Sequence, residues 1–333
     1  MVLQERALIP PVGNGIVLRR LAAESDILVE NFKVGGLAKY WLDYESLRAV
    51  NPKLVYCSIT GFGHDGPDAH RAGYDFMIQG MGGIMSITGE PEGEPMKVGV
   101  AIVDLMCGMY ASVAILGALR HRDQGGGGQH IDLALLDTHA AWLINVGMNF
   151  LTSGEDPFRY GNGHANIVPY QPYPASDGYF ILTIGNNVQF RKFCDFAEIP
   201  EIPDDPRFAE NQDRVKNRDA LETIISRATS VHSKAHWLEG LKKLGVPCGP
   251  VNTVPEVFED PQIRHREMEI SMEHPLTGDS KMKMIGNPIR YSETPVSYRN
   301  PPPMLGQHNR EILKDWLELE DNEIERLFQN EVL

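Results

Sequence analysis

The sequence predicts an α/β protein with a mainly parallel sheet covered by helices. Short apolar runs rich in β-branched residues recur along the chain, and helical patterns lie between them. Polar or glycine residues follow several of these runs, as they do where buried strands end. Strands that alternate with helices in this way form βαβ units, whose strands run parallel.

The N-terminal elements follow this alternation. Residues 17–25 predict a helix and 27–30 a strand, which ends in Asn31-Phe32-Lys33 and a glycine pair. Asp43 is placed to cap a helix running to Val50, and 54–60 predict a second strand. Gly63 to Gly73 reads as a loop, after which Tyr74-Asp75 opens a helix rich in glycine and methionine.

Residues 97–120, KVGVAIVDLMCGMYASVAILGALR, predict the central feature of the site. Val98 to Val103 has the pattern of a buried strand, and an almost wholly apolar helix follows from Leu105. Asp104 would then lie at a strand-to-helix junction, where free backbone N–H groups favour an ionised carboxylate. Such a residue is either a nucleophile or only a helix cap, and the pattern alone leaves both interpretations open.

The second half of the chain predicts further elements. Gly125 to Gly128 is interpreted as a turn before a strand at 129–133, and 136–151 as one long helix whose Asp137 is a competing candidate carboxylate. Residues 159–172 have the composition of a functional loop or linker. Beyond them we expect strands at 179–184 and 282–285, helices at 189–196, 218–229, 234–244 and 255–258, and two acidic C-terminal helices.

The composition of the chain limits the classes of partner that it can bind. The 333 residues carry a formal net charge of −14, which argues against nucleic acid or an anionic membrane as a main partner. We find no apolar run of membrane-spanning length and no signal peptide, and we expect a cytoplasmic protein, or a mitochondrial one in a eukaryote. The four dispersed cysteines favour buried thiols, and His232 and His236 a solvated face; no metal site is predicted.

Seven sequence strings carry a family resemblance. In chain order they are ESDILVENF, NPKLVYCSITGFGHDGP, RAGYDF, KVGVAIVDLMCGMYA, GQHIDLALLD, GVPCGPV and PPPMLGQH. Together they resemble the class III coenzyme A transferases, the family of formyl-CoA transferase and carnitine CoA-transferase. The resemblance implies a Rossmann-like large domain built from both chain ends, a smaller α+β domain, and two subunits interlocked as a homodimer.

The resemblance also implies domain boundaries. The first part of the large domain would be 1–135, a linker helix 136–157, the small domain 158–237, and the linker and return to the large domain 238–333. Family members begin with a further strand, helix and strand that Met1 to Gly15 does not resemble. We therefore expect the chain as given to bind CoA weakly or to fold poorly, and an inactive CoA-binding homologue stays an alternative.

The resemblance assigns the chemistry to Asp104. Its carboxylate would attack an acyl-CoA to give a mixed anhydride and then an aspartyl-CoA thioester, from which a second acid takes the CoA. CoA is then part of substrate and product, and no permanently bound cofactor is implied. The related α-methylacyl-CoA racemases carry histidine where this chain has Tyr74, and a phenol is a poor proton acceptor at neutral pH, so transferase is favoured over racemase.

The resemblance further implies binding residues. The predicted CoA contacts are Asn31, Phe32 and Lys33 beside the nucleotide, Lys39 near the phosphates, and Ala72, Gly73, Tyr74 and Asp75 along the pantetheine arm. Lys33, Lys39 and Arg71 would supply local positive charge. The loop Gly161 to Pro169 would close over the site, and the predicted substrate contacts are Gly163, His164, Asn166, Gly185, Asn186 and Asn187.

One longer stretch of sequence resembles a particular branch of the family and so implies the substrate class. Residues 167–190, IVPYQPYPASDGYFILTIGNNVQF, are most similar to the branch that transfers CoA between succinate and glutarate. A dicarboxylic acyl-CoA donor and a small dicarboxylate acceptor are therefore implied. The distal carboxylate needs a cation or polar donors, for which Arg159, His164 and Asn187 are candidates.

Overall fold

A computed structural model describes residues 13–278 and 280–330. Residues 1–12, to which the prediction of a divergent N-terminus mainly refers, lie outside the described residues. The structure confirms the mixed α/β class with a parallel sheet and covering helices.

The helices and strands alternate along the first half of the chain. The elements of this half, in order, are α1 Gly13–Glu24, β1 Ile27–Glu30, α2 Tyr44–Arg48, β2 Val55–Thr60, α3 Asp75–Met81, α4 Ile84–Ile87, α5 Ile102–Asp123, β3 His130–Ala134, α6 Leu135–Ala140 and α7 Ile144–Ser153. Strands β1, β2 and β3 pair in that order, all parallel. β2 is the central strand and is buried along nearly its whole length, so the carboxyl ends of all three strands meet at one edge.

The second half is mainly helical, with two small antiparallel sheets. Its elements are β4 Tyr170–Ala175, β5 Gly178–Thr183, α8 Asn187–Phe196, α9 Asn211–Lys216, α10 Arg218–Thr229, α11 Lys234–Leu244, β6 Cys248–Pro250, α12 Val254–Glu259, α13 Pro261–His265, β7 Glu269–Glu273, β8 Lys281–Ile285, α14 Asn309–Asp315 and α15 Asp321–Gln329. The sheets have the orders β4-β5-β6 and β7-β8.

The described chain divides into two compact units. Unit 1 comprises the described residues of Met1–Arg159 and Pro303–Leu333, and unit 2 those of Tyr160–Pro302. Leu313 and Ile324 of the C-terminal helices pack with Leu28 and Leu54 in one core, so both ends of the chain contribute to unit 1. Unit 2 has a separate core around Trp237, which stacks on Phe180.

The two compact units and the predicted domains group residues 238–302 differently. The resemblance assigned residues 238–333 to the linker and the return, whereas residues 238–302 here belong to unit 2. Strand β6 pairs with β5, and this pairing ties the chain after α11 to the small sheet. The predicted boundaries at 135, 157 and 237 stay a prediction.

Two local predictions were wrong. Residues 98–101 form no strand, and α5 begins at Ile102, because this segment is largely exposed to solvent rather than buried in the sheet. The single helix predicted for 136–151 is divided into α6, a 3₁₀ turn at Ala141–Leu143 and α7. Ile144, the first residue of α7, has a φ of 30°, far from the value inside an α-helix, so α6 and α7 are not one continuous helix.

The prediction that no apolar run reaches membrane-spanning length was wrong for helix α5. Its 22 residues, Ile102–Asp123, are long and apolar enough to cross a membrane by length and composition alone. Leu105, Met109, Val113 and Leu116 share one side of it and are between 58% and 66% exposed. This side of α5 is an apolar surface that unit 1 does not cover.

Candidate functional site

The loop after β1 is shaped by a buried carboxylate. Glu30, the last residue of the strand, is 5% exposed, and its Oε2 accepts a hydrogen bond from the Phe32 N–H at 2.7 Å. Burial raises the pKa of Glu30 above its ordinary value, against the opposing effects of Ser58 and the Phe32 amide. The bond turns the chain so that Asn31, Phe32 and Lys33 line a cavity of about 460 Å³.

The loop after β2 reaches the same cavity through two glycines. A Cβ built on Gly73 would overlap the Gly61 Cα, closer than any real side chain comes. The two backbones are therefore in direct contact. This contact holds residues 71–74 at the carboxyl end of β2, where Arg71, Ala72, Gly73 and Tyr74 line the cavity.

Asp104 lies in the first turn of α5 and lines the cavity with these loops. It is the third residue of the helix rather than the last residue of a strand. Its side chain is exposed enough to meet a ligand. Burial raises the pKa of the Asp104 carboxyl, and the nearby Asp75 carboxylate raises it further. Both effects make Asp104 a more basic carboxylate than an ordinary aspartate.

Asp75 faces the start of α5. Its Oδ1 accepts the Val103 N–H at 2.7 Å and the Asp104 N–H at 3.4 Å, and its Oδ2 accepts from Gln79 Nε2 at 2.7 Å. Gln79 is fully buried, and its Oε1 accepts the Val98 N–H at 2.8 Å. The predicted contact of Asp75 with the pantetheine arm stays a prediction, but both carboxylate oxygens already accept protein hydrogen bonds.

One turn after Asp104, Cys107 is the nearest competing nucleophile. It also lines the cavity, yet it is only 1% exposed. Burial raises the pKa of its thiol to about 11, so the thiol is protonated at neutral pH. This leaves Asp104 as the better nucleophile of the two.

The cavity thus brings together seven of the predicted site residues: Asn31, Phe32, Lys33, Ala72, Gly73, Tyr74 and Asp104. Lys39 does not line it; its Nζ lies 4.8 Å from the centre of the Tyr40 ring. A larger depression of about 560 Å³ in unit 2 is lined by Asp219, Glu222 and Arg227, and this net negative lining suits an anionic ligand less well.

The predicted substrate residues all lie in unit 2 and make local contacts there. His164 Nδ1 accepts the Asn166 N–H at 3.0 Å, and Gly163 donates its N–H to Tyr160 O. Burial, and then the nearby Arg218, lower the pKa of His164. Asn186 caps α8, and the Gly185 N–H donates to Gln189 Oε1. Their role in substrate binding stays a prediction.

Two candidates for a distal carboxylate make contacts inside the protein. Asn187 donates to Glu210 Oε2 at 2.8 Å and accepts from Arg214 at 2.9 Å. Arg159 donates from Nε to Glu90 O at 2.9 Å and from Nη2 to Pro91 O at 3.3 Å and Gly93 O. Both residues therefore have structural contacts that a substrate would have to replace or share.

Sequence reasoning missed Glu30 and Gln79. Glu30 ends an otherwise apolar strand, and this pattern indicates a buried carboxylate, which needs a hydrogen-bond partner. The spacing of Asp75 and Gln79, four residues apart on a helix, was another informative pattern. Their partners, the amides of Phe32, Val103 and Val98, are tertiary contacts that no local pattern shows.

Comparisons with known proteins show similarity along most of the chain. Residues 14–309 match the model of CoA-transferase family III. A succinate–glutarate CoA-transferase of Agrobacterium fabrum is 48% identical over 305 residues, which cover 92% of this chain and 76% of that protein. A human succinyl-CoA:glutarate CoA-transferase is 39% identical over 311 residues, covering 93% and 70% respectively.

A solved structure extends the similarity to the fold. The crystal structure of a CaiB/BaiF family protein from Brucella suis has a TM-score of 0.78 and 49% sequence identity. The match covers 91% of this chain and 78% of that one.

Proposed function

The chain belongs to CoA-transferase family III, and from this membership we propose that it transfers CoA between dicarboxylic acids through covalent intermediates on Asp104. Relatives that act on succinyl-CoA and glutarate support succinyl-CoA, or another dicarboxylic acyl-CoA, as the donor. The observation that carries the proposal is the position of Asp104 in one cavity with Asn31, Phe32, Lys33 and the 71–74 segment.

The first half of the reaction loads the enzyme. An Asp104 carboxylate oxygen attacks the thioester carbonyl carbon; the C–S bond breaks, and CoA leaves as a thiolate. The thiolate then attacks the Asp104 carbonyl carbon of the mixed anhydride. The C–O bond breaks, the first acid leaves as a carboxylate, and Asp104 is now joined to CoA as a thioester.

The second half repeats these steps in reverse order. The acceptor carboxylate attacks the aspartyl thioester, expels the CoA thiolate and forms a new anhydride. The thiolate then attacks the acyl carbon that came from the acceptor, which restores the Asp104 carboxylate and releases the new acyl-CoA. Each step exchanges one acyl bond for another of similar energy, provided that water is kept from the anhydride.

Local positive charge favours binding of the CoA phosphates. The chain as a whole carries −14, but Lys33 and Arg71 line the cavity. Arg71 also pairs with Asp68 at 3.0 Å and lies over the Phe62 ring. Since that ion pair is exposed, it restrains Arg71 only weakly, and its guanidinium can turn to a phosphate.

A trapping experiment tests the mechanism. The protein is incubated with succinyl-CoA and hydroxylamine, which converts an aspartyl anhydride or thioester to a hydroxamate, and its peptides are then analysed by mass spectrometry. We expect the label on Asp104. Asp137 is the internal control, because it is also the third residue of a helix and is also exposed. A label on Asp137, or an unlabelled Asp104, would contradict the proposal.

A second acid then tests the substrate. With succinyl-CoA as donor we expect glutarate to accept CoA faster than acetate, because the relatives named above use dicarboxylates. Formation of glutaryl-CoA is measured by chromatography. Equal rates with both acids would contradict dicarboxylate specificity while leaving CoA transfer intact.

The same proposal includes a homodimer, as the resemblance implies. Leu105, Met109, Val113 and Leu116 form an exposed apolar stripe on α5. Contiguous apolar surface of this kind is typical of an interface, and a second copy of the chain would cover it. Light scattering after size exclusion should give a dimer for the wild type and a monomer for Val113→Glu/Leu116→Glu. Val50→Glu, at an exposed aliphatic residue after α2, is the control. A monomeric wild type, or a lipid-bound one, would contradict the dimer.

A further inference from the structure

We propose that Asp75 and Gln79 are positioning residues for Asp104: together they cap helix α5 with side chains from another helix and fix the nucleophile at the cavity. This inference rests on the proposed function, because it concerns the residue to which that function assigns the covalent chemistry. The carboxylate of Asp75 and the amide of Gln79 each have a separate part in it.

Helix α5 has no cap of its own. Its N-cap residue is Ala101, which has no side-chain oxygen to accept the free N–H groups of the first turn. Asp75, 28 residues earlier, accepts the Val103 N–H at 2.7 Å and lies 3.4 Å from the Asp104 amide nitrogen. The nucleophile and the residue before it are thus held through their backbone to α3.

Gln79 completes the arrangement from one turn further along α3. Its Nε2 donates to Asp75 Oδ2 and fixes the carboxylate, while its Oε1 accepts the Val98 N–H. The segment before α5 and the start of α5 are therefore tied to the same pair of side chains. Because Gln79 is fully buried, a lost partner would leave a polar group without a hydrogen bond, so the network tolerates only complementary changes.

The charge of Asp75 gives the cap a chemical role beyond geometry. Two carboxylates near each other repel, and the repulsion adds to burial in raising the pKa of Asp104. When Asp104 is acylated it loses its charge, so the repulsion is relieved in the anhydride and in the aspartyl-CoA thioester. An interaction that becomes more favourable along the reaction accelerates it, which a neutral cap would not do.

Other titratable groups surround the pair. Those that line the cavity with Asp104 are Glu30, Lys33, Arg71, Tyr74 and Cys107. Burial lowers the pKa of the His139 imidazole, on α6, and the Asp75 carboxylate partly opposes this effect. A pH profile measured on one variant alone therefore reports all of them, and the test uses differences between variants.

The test removes the charge and then restores the hydrogen bonds. In Asp75→Asn the amide oxygen can still accept the Val103 N–H, but its NH₂ group meets the NH₂ of Gln79. Adding Gln79→Glu supplies an acceptor for that NH₂ and for the Val98 N–H. We measure the rate at which CoA becomes attached to the protein from succinyl-CoA, by intact mass, between pH 4 and pH 8, together with thermal melting.

We expect Asp75→Asn to slow attachment at pH 7 by about tenfold or more and to move the acid limb of the profile to lower pH. The double variant should be faster than either single variant, and its acid limb should lie between those of Asp75→Asn and the wild type, because the carboxylate that Gln79→Glu introduces is one turn further along α3. Asp260→Asn is the matched control, because Asp260 Oδ1 also accepts from two successive amides at the start of a helix. It should melt differently without moving the acid limb.

The outcomes separate this inference from the proposed function. If Asp104→Asn retains CoA transfer, the proposed function fails. If Asp104→Asn is inactive while Asp75→Asn has the wild-type rate and limb, or the double variant is no faster than the slower single variant, the positioning role is overturned. Should Asp75→Asn not fold, the double variant decides: recovered folding and attachment support the role, and an unfolded double variant overturns it.

Discussion

Helices α5 and α6 begin in nearly the same way, and the difference between them supports the proposal of Asp104, rather than Asp137, as the nucleophile. Each follows an alanine N-cap that lacks a capping side chain, and each has aspartate as its third residue, Asp104 and Asp137. In α6 the second amide, that of Leu136, donates to the Gly61 carbonyl at 3.1 Å. In α5 the corresponding amide, that of Val103, donates to the Asp75 carboxylate at 2.7 Å.

The two acceptors have different consequences. A carbonyl accepts a hydrogen bond from the free amide and adds no net charge. A carboxylate also accepts that hydrogen bond, but it adds a negative charge, which repels the neighbouring Asp104. The cavity in front of Asp104 adds the second condition, since only Asp104 of the pair lines it. The comparison teaches that the local pattern places a carboxylate at a helix start, and that its neighbours decide what the carboxylate can do.

The largest expected effect separates the two aspartates directly. Asp104→Asn should lower kcat/KM for CoA transfer by about 10³-fold or more, because the covalent route is lost. Asp137→Asn should stay within about threefold of the wild type. Steady-state assays of both variants with succinyl-CoA check this, and a similar loss in both would erase the distinction between the two helices.

The next effect concerns the wall of the cavity facing α5. Gly73→Ala would force a methyl group into the Gly61 Cα, so the two loops must separate. We expect a loss of about 1–3 kcal/mol in the free energy of unfolding and at least a tenfold fall in kcat/KM. Urea titration and kinetics measure these changes.

Gly117→Ala is the control for that substitution. Its added methyl group meets no atom within 4 Å, and alanine favours the helix, so α5 should become slightly more stable. Unchanged stability and activity in Gly73→Ala would show that the close approach of the two loops does not shape the cavity.

A smaller effect tests the positive charge of the cavity. Lys33→Ala should raise KM for succinyl-CoA by roughly tenfold with little change in kcat, because a phosphate contact adds to binding more than to the chemical step. The rise in KM should shrink at high salt, since salt screens exposed charges. Lys53→Ala, at an exposed lysine before β2, is the control. A changed kcat with an unchanged KM would place Lys33 elsewhere in the mechanism.

The smallest effect is on stability and depends on pH. The raised pKa of Asp104 means that the folded protein holds this proton more tightly than the unfolded chain. Ionised Asp104 therefore costs stability above its folded-state pKa, and the cost disappears as pH falls below its ordinary value. Because the side chain is exposed to solvent, which screens the repulsion, the cost should be well below that of the Gly73 substitution.

Comparison of Asp104→Asn with Asp137→Asn measures the stability cost of ionised Asp104. Both aspartates lose the favourable interaction with a helix N-terminus when replaced by asparagine, but only Asp104 loses the repulsion from Asp75 as well. At pH 7 we expect Asp104→Asn to be the more stable of the two variants, and at pH 3 we expect the difference to vanish. Urea titrations at both pH values measure it; a difference that grows on acidification has the wrong sign for this account.

Much of the fold followed from local patterns. The strands after Asp26 and Lys53 and the helices at 218–229 and 234–244 were predicted within one or two residues, because their apolar spacing and caps are local. The strand predicted for Val98 to Val103 was wrong. A short apolar run rich in β-branched residues also occurs in this exposed segment and the helix start that follows it, so the pattern alone does not identify a strand. The prediction of Asp104 at a helix start was right about the helix and wrong about the strand.

The sequence by itself determined the α/β class, the family and the candidate nucleophile, because those depend on the order of short strings and on apolar spacing that each segment carries alone. Only the tertiary structure decided which carboxylate lines a cavity, that Asp75 and Gln79 cap its helix, and that Gly61 and Gly73 meet. The physical reason is that hydrogen bonds and close packing join residues distant in the chain, and neither leaves a periodic trace in the segments that it joins.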